Sequence, residues 1–383
     1  MILIKNAKIL TMAKKDYAVG DILICDDKIE QVGSHIHAPE AQVVDATGLT
    51  AMPGIIDAHC HVGMWEDGMG EEGADGNECV DPISPELRAI DGINPFDRCF
   101  EEARENGITT VVTGPGSANV IGGQFVALNT VGDTIEEMII KEPLALKIAF
   151  GENPKGVYSE QKKSPSTRMA TAAMLRQALI DAQEYEKSIL RAQEKEDETP
   201  PERDLQKEIL VKALHREIIV KAHAHRADDI LTAIRIGKEF NLDLSIEHCT
   251  EGHLIAEQLK RENVKIILGP LITERCKIEL KNLTFEAPRK LYEQGIEFAI
   301  MTDHPVIPTQ YLPVCAAICV RYGLPEREAL KAITYYAAKM VGLEDQLGSI
   351  EPGKQADIVL WAGDPLDART KVEHVWIRGQ QVK

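Results

Sequence analysis

The pattern of apolar and polar residues changes twice along the chain, near residue 53 and near residue 345. Residues 1–52 contain short runs in which apolar and polar positions alternate, and turn residues separate these runs. Residues 345–383 have the same character. Such runs are typical of β-strands that bury one face. Because neither segment has enough strands to bury a face alone, we predict that residues 1–52 and 345–383 together form one small, discontinuous β-sandwich domain.

Between these segments, residues 53–344 alternate apolar, β-branched runs with helix-like patterns. Strands that alternate with helices are typical of an α/β protein with a parallel sheet. The number of apolar runs is close to eight, which predicts a (β/α)8, TIM-like barrel over residues 53–344. The runs after the first are Ile108–Thr113, Leu144–Phe150, Glu217–Ala222, Leu242–Glu247, Val264–Leu268 and Ile296–Met301.

One stretch, Gly63–Pro95, interrupts this alternation. It is rich in glycine, proline and carboxylates and has little periodicity, which is typical of a long loop. Since it follows the first barrel strand directly, it begins at the rim of the predicted barrel. We interpret it as a mobile lid over an active site, with an ordinary surface loop as the alternative.

Composition and charge limit the classes of function. Hydrophobic residues make up 44% of the chain and charged residues 27%, which is ordinary for a globular protein. The formal net charge of −18 argues against nucleic acid or an anionic membrane as a partner. No apolar run approaches the roughly 18 residues of a membrane span, the start lacks a signal-peptide pattern, and the cysteines are scattered. We therefore expect a cytoplasmic protein with a small-molecule substrate, and leave open whether it forms a homo-oligomer.

The first candidate for chemistry is Pro53–His61, where an apolar run ends in two histidines one residue apart. In a strand, side chains at positions i and i+2 point to the same side. His59 and His61 are therefore expected to face one side together, as two ligands of one metal ion require.

Further metal-competent side chains stand where later apolar runs end, namely His223, His248 and Asp303. Barrel enzymes place their catalytic groups at the carboxyl ends of the strands. With His59 and His61, these residues form a donor set of the types that zinc prefers. We predict one or two divalent ions at one rim of the barrel, zinc first, with manganese, iron or cobalt as alternatives.

Two motifs resemble those of the amidohydrolase superfamily. The segment Pro53–His61 is similar to its opening motif, and Gly348–Leu360 is similar to its closing motif. The resemblance covers the whole chain, and within the superfamily the chain is most similar to imidazolonepropionase-related hydrolases. It implies a barrel with a split β-sandwich and a metal-dependent hydrolase activity.

The resemblance also implies roles for individual residues. His59, His61 and Asp303 would hold a divalent metal ion together with His223 and, in some members, His248. Asp303 would act as general acid and base, taking a proton from a metal-activated water and passing it to the leaving nitrogen. In single-metal relatives His248 contacts the substrate, so we include it among the catalytic residues.

Two positions stay open. His225 lies two residues after His223 on the same face, so either could be the ligand; we favour His223 and assign His225 to the substrate. The fourth-strand ligand is either Glu152, where the strand stops, or Lys147, which as a carboxylated lysine would bridge two metals. We prefer Glu152 and keep Lys147 as the alternative.

The other substrate-binding candidates are Gly123, Lys155 and Arg168. Gly123 lies in a predicted glycine-bearing loop, Asn119–Gln124, where backbone can approach a ligand. Lys155 and Arg168 could bind an acidic group of the substrate.

These residues together favour a metal-dependent hydrolase that cleaves a C–N bond in a cyclic amide or a related small molecule. The alternatives within enzymes are a deaminase of a ring amidine and a sugar-phosphate deacetylase. The alternative from another class is a non-catalytic scaffold that kept the fold, which predicts missing ligands.

Overall fold

The computed structural model describes residues 1–195 and 198–383. Within them the strands are, in chain order, β1 (Ile2–Ile9), β2 (Tyr17–Cys25), β3 (Lys28–Gly33), β4 (Gln42–Asp45), β5 (Thr50–Pro53), β6 (Ile55–Cys60), β7 (Ile108–Thr113), β8 (Ile121–Asn129), β9 (Ile139–Ala149), β10 (Ile219–Ala224), β11 (Leu244–His248), β12 (Lys265–Leu268), β13 (Ala299–Ile300), β14 (Ile358–Trp361), β15 (Val372–Ile377) and β16 (Gln380–Gln381). The helices are α1 (Arg98–Glu105), α2 (Ile135–Met138), α3 (Glu152–Glu160), α4 (Arg168–Glu194), α5 (Leu205–Leu214), α6 (Ala227–Glu239), α7 (Ala256–Glu262), α8 (Ala287–Glu293), α9 (Leu312–Arg321), α10 (Glu326–Ala332) and α11 (Tyr335–Met340).

The central sheet is an eight-stranded, nearly closed barrel in which β6 to β13 are neighbours in chain order. Backbone hydrogen bonds complete the seam between the first strand and the segment after the last one. The amide of Asp303 donates to the carbonyl of His59 at 3.2 Å, and the amide of His61 donates to the carbonyl of His304 at 3.0 Å. The predicted TIM-like barrel is confirmed, and its seam lies at the residues that the sequence marks for chemistry.

One barrel strand departs from the predicted parallel alternation. The strand β8 follows β7 without a helix between them and pairs antiparallel with both β7 and β9. The prediction of a loop over Asn119–Gln124 is therefore wrong from Ile121 onward, where the chain is already in β8. Backbone hydrogen bonds to both neighbours satisfy this segment, which a loop could not offer in a buried position.

The second sheet joins the two ends of the chain, because β14 pairs antiparallel with β5 and β1 pairs with β2, β4 and β5. The two faces of β14 pack differently. Ile358 and Leu360 belong to the core of the terminal sheet, whereas Val359 and Trp361 belong to the core that surrounds the barrel. This period of two buries both faces of the strand and attaches the terminal sheet to the barrel.

The predicted lid segment is held against β8 along part of its length. Ile83 and Arg88 form isolated bridges with β8, and the side-chain amide of Gln124 donates to the carbonyls of Pro85 and Glu86 at 3.1 and 3.2 Å. The remaining part, before Ile83, carries the glycine-rich turns that follow the first barrel strand.

None of the helices in the described part of the chain is long and apolar enough to cross a membrane.

Candidate metal centre

A first group of metal-competent side chains consists of His59, His61 and Asp303, whose donor atoms all lie within 4.8 Å of one another. The Oδ1 atom of Asp303 is 3.6 Å from Nε2 of His59 and 3.2 Å from Nε2 of His61. His59 is fully buried, and Asp303 has the most exposed side chain of the three, at 14%. We call these residues the first group.

Backbone geometry at the seam aims Asp303 at the histidines. Asp303 has a φ of 55°, in the left-handed region that non-glycine residues rarely adopt. Behind it, the buried carboxylate of Asp57 accepts hydrogen bonds from the amide of Thr302 at 3.3 Å and from the hydroxyl of Thr309 at 2.9 Å. Burial raises the pKa of Asp57 to about 6, and the hydrogen bonds from Thr302 and Thr309 oppose that rise. Asp57 therefore ties the first barrel strand to the segment that carries Asp303.

Both histidines of the first group have a polar neighbour at Nδ1, which leaves Nε2 facing the site. The Nδ1 atom of His61 donates to the carbonyl of Gly114 at 2.6 Å. The Nδ1 atom of His59 lies 2.9 Å from Oε2 of the fully buried Glu247, an ion-pair distance at which neither atom makes a well-aligned hydrogen bond within the described residues. A carboxylate behind a histidine is a recurring arrangement at metal sites, where it fixes the tautomer and makes the imidazole a stronger ligand. The same oxygen of Glu247 lies 3.1 Å from Nζ of Lys221, so its charge is compensated.

Lys147 lies beside the first group. Its Nζ atom is 3.1 Å from Nε2 of His59, and the residue is 1% exposed. Burial lowers the pKa of Lys147 to about 8, against the opposing attraction of Glu247 and Asp303. A lowered pKa raises the neutral fraction of the amine, the form that reacts with carbon dioxide. The structure thus brings this sequence candidate to the centre of the site.

A second group consists of His223, His225 and His248, whose donor atoms also lie within 4.8 Å of one another. The ring centroids of His223 and His225 are 4.7 Å apart, and each lies 4.3 Å from the ring of His248. Nδ1 of His225 contacts the hydroxyl of Thr250 at 2.8 Å, and Nδ1 of His248 donates to the carbonyl of Gly269 at 2.9 Å. Both histidines that the sequence offered as alternatives therefore face the site.

His248 reaches this group because its backbone leaves the regular strand. It has a φ of 70°, whereas a regular strand would point His248 and its neighbour Glu247 to opposite faces. With the left-handed conformation, Glu247 contacts His59 while His248 joins the second group.

Burial makes four histidines of this site poor bases. It lowers the pKa of His59, His223, His225 and His248 well below the usual value, and neighbouring cations, Lys147 among them, lower each pKa further. Neutral imidazole is the form that binds a metal ion.

Glu152 lies outside both groups. It is the first residue of α3, and its backbone amide donates to Oε2 of Glu279 at 3.1 Å. Between the two candidates for the fourth-strand ligand, the structure places Lys147 next to a donor atom of the first group and gives Glu152 no such contact among the described residues.

The substrate candidates from the sequence lie in three different surroundings. Gly123 is in β8 and has a φ of 112°. A Cβ atom at this position would lie 2.6 Å from the carbonyl oxygen of Leu87, so the absence of a side chain allows the backbone of the lid segment to approach closely. Arg168 forms a bidentate ion pair with Asp229, with distances of 2.8 and 2.9 Å. Lys155 is half-buried on α3.

The wall of the site contains polar and aromatic groups that the sequence analysis did not single out. Trp65, at the start of the lid segment, has its ring centroid 5.0 Å from that of His61. On another side, Nζ of Lys277 donates to the side chain of Asn153 at 2.7 Å, and Asn153 donates to Ser117 at 2.8 Å. Trp65 thus borders the first group, and Lys277, 3.8 Å from Oε1 of Glu279, brings hydrogen-bonding groups near the second.

Sequence analysis also missed Glu247, Lys221 and Glu279, which are almost fully buried. Charged residues within otherwise apolar barrel strands were an available signal for Glu247 and Lys221, because buried charges require partners. Glu279 lies in a short 3-10 turn, Ile278–Leu280, after β12, and no pattern in the sequence marks it.

The residues present fit a divalent metal ion. The donors are imidazoles and carboxylates, a set that suits zinc. Within the described part of the chain, neither ring nitrogen of the buried His223 has a hydrogen-bond partner. A buried polar atom without a partner is costly, and a metal ion would satisfy it.

Known proteins resemble this chain along nearly its whole length. A model of the amidohydrolase family matches residues 50–382. Amidohydrolase tasK of Hapsidospora irregularis is 31% identical over 395 residues, which cover 94% of this chain but 39% of that relative. An imidazolonepropionase of Symbiobacterium thermophilum is 25% identical over 376 residues, covering 90% of this chain and 85% of the relative.

Among solved structures, an amidohydrolase from Thermotoga maritima is 45% identical, with a TM-score of 0.97 and coverage of 100% of both chains. The resemblance inferred from the two motifs is thereby confirmed. Because the family model covers most of the sequence, this chain belongs to the amidohydrolase family and is a hydrolase that acts on carbon–nitrogen bonds.

Proposed function

We propose that this chain hydrolyses a C–N bond of a cyclic amide or a related small molecule, with a divalent metal ion held at the rim of the barrel. The observation that carries the proposal is the convergence of His59, His61 and Asp303 on one point. Membership of the amidohydrolase family supports the bond type. The donor atoms, imidazole nitrogens and carboxylate oxygens, are of the types that zinc prefers, which supports zinc as the ion.

His59, His61 and Asp303 would hold a first ion, and His223 and His248 would hold a second. We now favour Lys147 over Glu152 as the fourth-strand ligand, since its Nζ atom lies 3.1 Å from Nε2 of His59. Bound there, a divalent ion would polarise the substrate carbonyl and lower the pKa of a water molecule toward neutrality.

Asp303 is the general acid and base of this proposal. Its carboxylate lies within 3.6 Å of both histidines of the first group, and it is the member of that group with the most exposed side chain. It can therefore accept a proton at the site and reach a leaving nitrogen that approaches from the mouth of the barrel.

The walls of the site orient a flat ring. Trp65 stands in an edge-type contact with His61, and an aromatic wall favours planar groups. On another wall, the chain of hydrogen bonds from Lys277 through Asn153 to Ser117 offers donors to carbonyl oxygens of the substrate. His248 contacts the substrate in this proposal when one ion alone is bound.

The test is a substrate panel with the zinc-loaded protein. It contains five- and six-membered cyclic amides, ring amidines and N-acetylated sugar phosphates. Their turnover is measured by loss of ring absorbance, by release of ammonia and by release of acetate, respectively. We expect ring opening of a cyclic amide that Asp303→Asn abolishes and that Glu274→Gln, an exposed control, leaves unchanged. Ammonia release from amidines alone would instead favour a deaminase. Absence of turnover across the panel with fully loaded protein would count against the proposal.

A further inference from the structure

We propose that Glu279 and His225 complete a second metal site with His223 and His248, and that these four residues supply three nitrogen ligands and one oxygen ligand. This inference rests on the proposed function, because it concerns the second ion of the same centre. It assigns to His225 a metal-binding role and to Glu279 a role that the two sequence motifs do not contain.

Distances around Glu279 fit a common ion. Its Oε1 atom lies 3.6 Å from Nε2 of His225 and 3.9 Å from Nε2 of His223. Ligand atoms of a tetrahedral zinc site, each about 2.0–2.2 Å from the ion, are roughly 3.3 Å apart. Small rotations of these side chains would bring the three atoms to that spacing.

Burial of Glu279 requires a positive partner. The residue is 1% exposed, and its Oε1 atom has no hydrogen-bond partner in residues 1–195 and 198–383. Its Oε2 atom accepts a hydrogen bond from the amide of Glu152, which leaves Oε1 directed at the histidines. A buried carboxylate without a close cation is strongly unfavourable, so the position of Oε1 next to the neutral imidazoles of His223 and His225 indicates a cation between them.

The nearest lysine does not fill this role. Nζ of Lys277 lies 3.8 Å from Oε1 of Glu279, beyond hydrogen-bond distance, and it donates to Asn153 instead. Lys277 is also 36% exposed, so that its charge is partly screened by solvent.

The orientation of the rings agrees with the same ion. The contact of His225 Nδ1 with Thr250 and the hydrogen bond of His248 Nδ1 to Gly269 leave the Nε2 atoms of both rings for the site. His223, whose two nitrogens have no partner within the described residues, supplies the third donor. The three imidazoles, from β10, the residue after it and β11, therefore lie together, and Oε1 of Glu279 lies close to two of them, His223 and His225.

Zinc binding tests this inference independently of turnover. We expect the wild-type protein to hold two zinc ions per chain after dialysis against buffered zinc, as counted by inductively coupled plasma mass spectrometry. Glu279→Gln and His225→Asn should each weaken the second zinc at least about tenfold and leave the first in place. The matched controls Glu274→Gln, on the same loop, and His253→Asn should keep both ions at wild-type affinity.

Two further measurements distinguish the loss of a ligand from misfolding of the variant. The melting temperature of each zinc-free variant shows whether it folds, and cobalt absorption spectra show whether the ligand set of the second site has changed. If folded Glu279→Gln and His225→Asn both keep two zinc ions with wild-type affinity and an unchanged cobalt spectrum, the inference is overturned. The same holds if the wild-type protein binds a single ion, or if Glu279→Gln raises KM while zinc binding is unaltered. The proposed function fails separately, when the protein with two zinc ions cleaves nothing in the panel.

Discussion

The pairs His59–His61 and His223–His225 have the same spacing and face the same rim, yet their surroundings differ. Behind the first pair stand a buried carboxylate, Glu247, and a backbone carbonyl. Behind the second pair stands a single hydroxyl contact, to His225, while His223 has no hydrogen-bond partner in the described part of the chain. Spacing places two imidazoles together, but the groups behind them decide whether the pair is held in place before an ion arrives. Although Nδ1 of His59 likewise makes no hydrogen bond within the described residues, its carboxylate neighbour lies at ion-pair distance, so the first pair is the better preorganised and the second would depend more on an ion.

The largest expected effect comes from Asp303, which completes the first group beside the pair His59–His61. Asp303→Asn should keep most of the first metal, because the amide still offers an oxygen. It should lose at least about 100-fold in kcat, since the amide cannot shuttle a proton. Steady-state kinetics and zinc content measured on the same preparation check this. Activity within about tenfold of wild type would remove Asp303 as the acid and base.

Removing the support of the first pair should have the next largest effect. Glu247→Gln takes the negative charge away from His59 and Lys221, and we expect the affinity for the first zinc to fall about 10–100-fold. Competition with a chromogenic zinc chelator measures it, with the exposed Glu257→Gln as control. Unchanged affinity would mean that the two pairs do not differ in the way described above.

The second pair has fewer supporting groups behind it, so removing one of them should lower the zinc affinity less. Thr250→Val removes the hydroxyl that contacts Nδ1 of His225 with little change in shape. We expect about a tenfold loss of affinity for the second zinc, at the lower end of what such partners contribute. The chelator competition that serves for Glu247→Gln applies here too. A loss confined to the first zinc would contradict the assignment of His225.

The smallest effect concerns the pH dependence of the zinc-free protein. The folded-state pKa of His225 lies well below the usual value near 6.5 because the ring is buried. The unfolded chain therefore binds a proton below about pH 6.5 that the folded chain does not, so stability present above that pH is lost as the pH falls. His225→Asn should make this loss shallower by up to about 1.4 kcal/mol per pH unit. Urea unfolding between pH 7.5 and 5 measures it, and His35→Asn, at an exposed position, should leave the slope unchanged.

Much of the fold could be predicted because it depends on periodic patterns. The apolar runs and the matching character of the two ends predicted the barrel and the sheet that joins the termini. The antiparallel strand β8 could not be predicted in the same way, since a buried strand has the same pattern in either direction. Its glycines, Gly122 and Gly123, suggested a loop.

Candidate ligands were found where they stood at the ends of apolar runs, as with His59 and Asp303. Glu247 was missed because a regular strand would have turned it away from His248, and the left-handed backbone at His248 is not visible in the sequence. Glu279 was missed because it reaches the site from a loop, whose path is set by tertiary packing rather than by any local period.

The seam of the barrel has a consequence for how the protein is made. Asp303 and His304 hydrogen-bond to the backbone of His59 and His61, so the same contacts join the first barrel strand to the last and assemble the first group. A ribosome delivers the histidines early and the aspartate late. A nascent chain therefore carries an incomplete set of ligands until most of the barrel has emerged. Acquisition of the catalytic ion would in this way report that synthesis and folding are nearly finished, and prematurely terminated chains would remain without it.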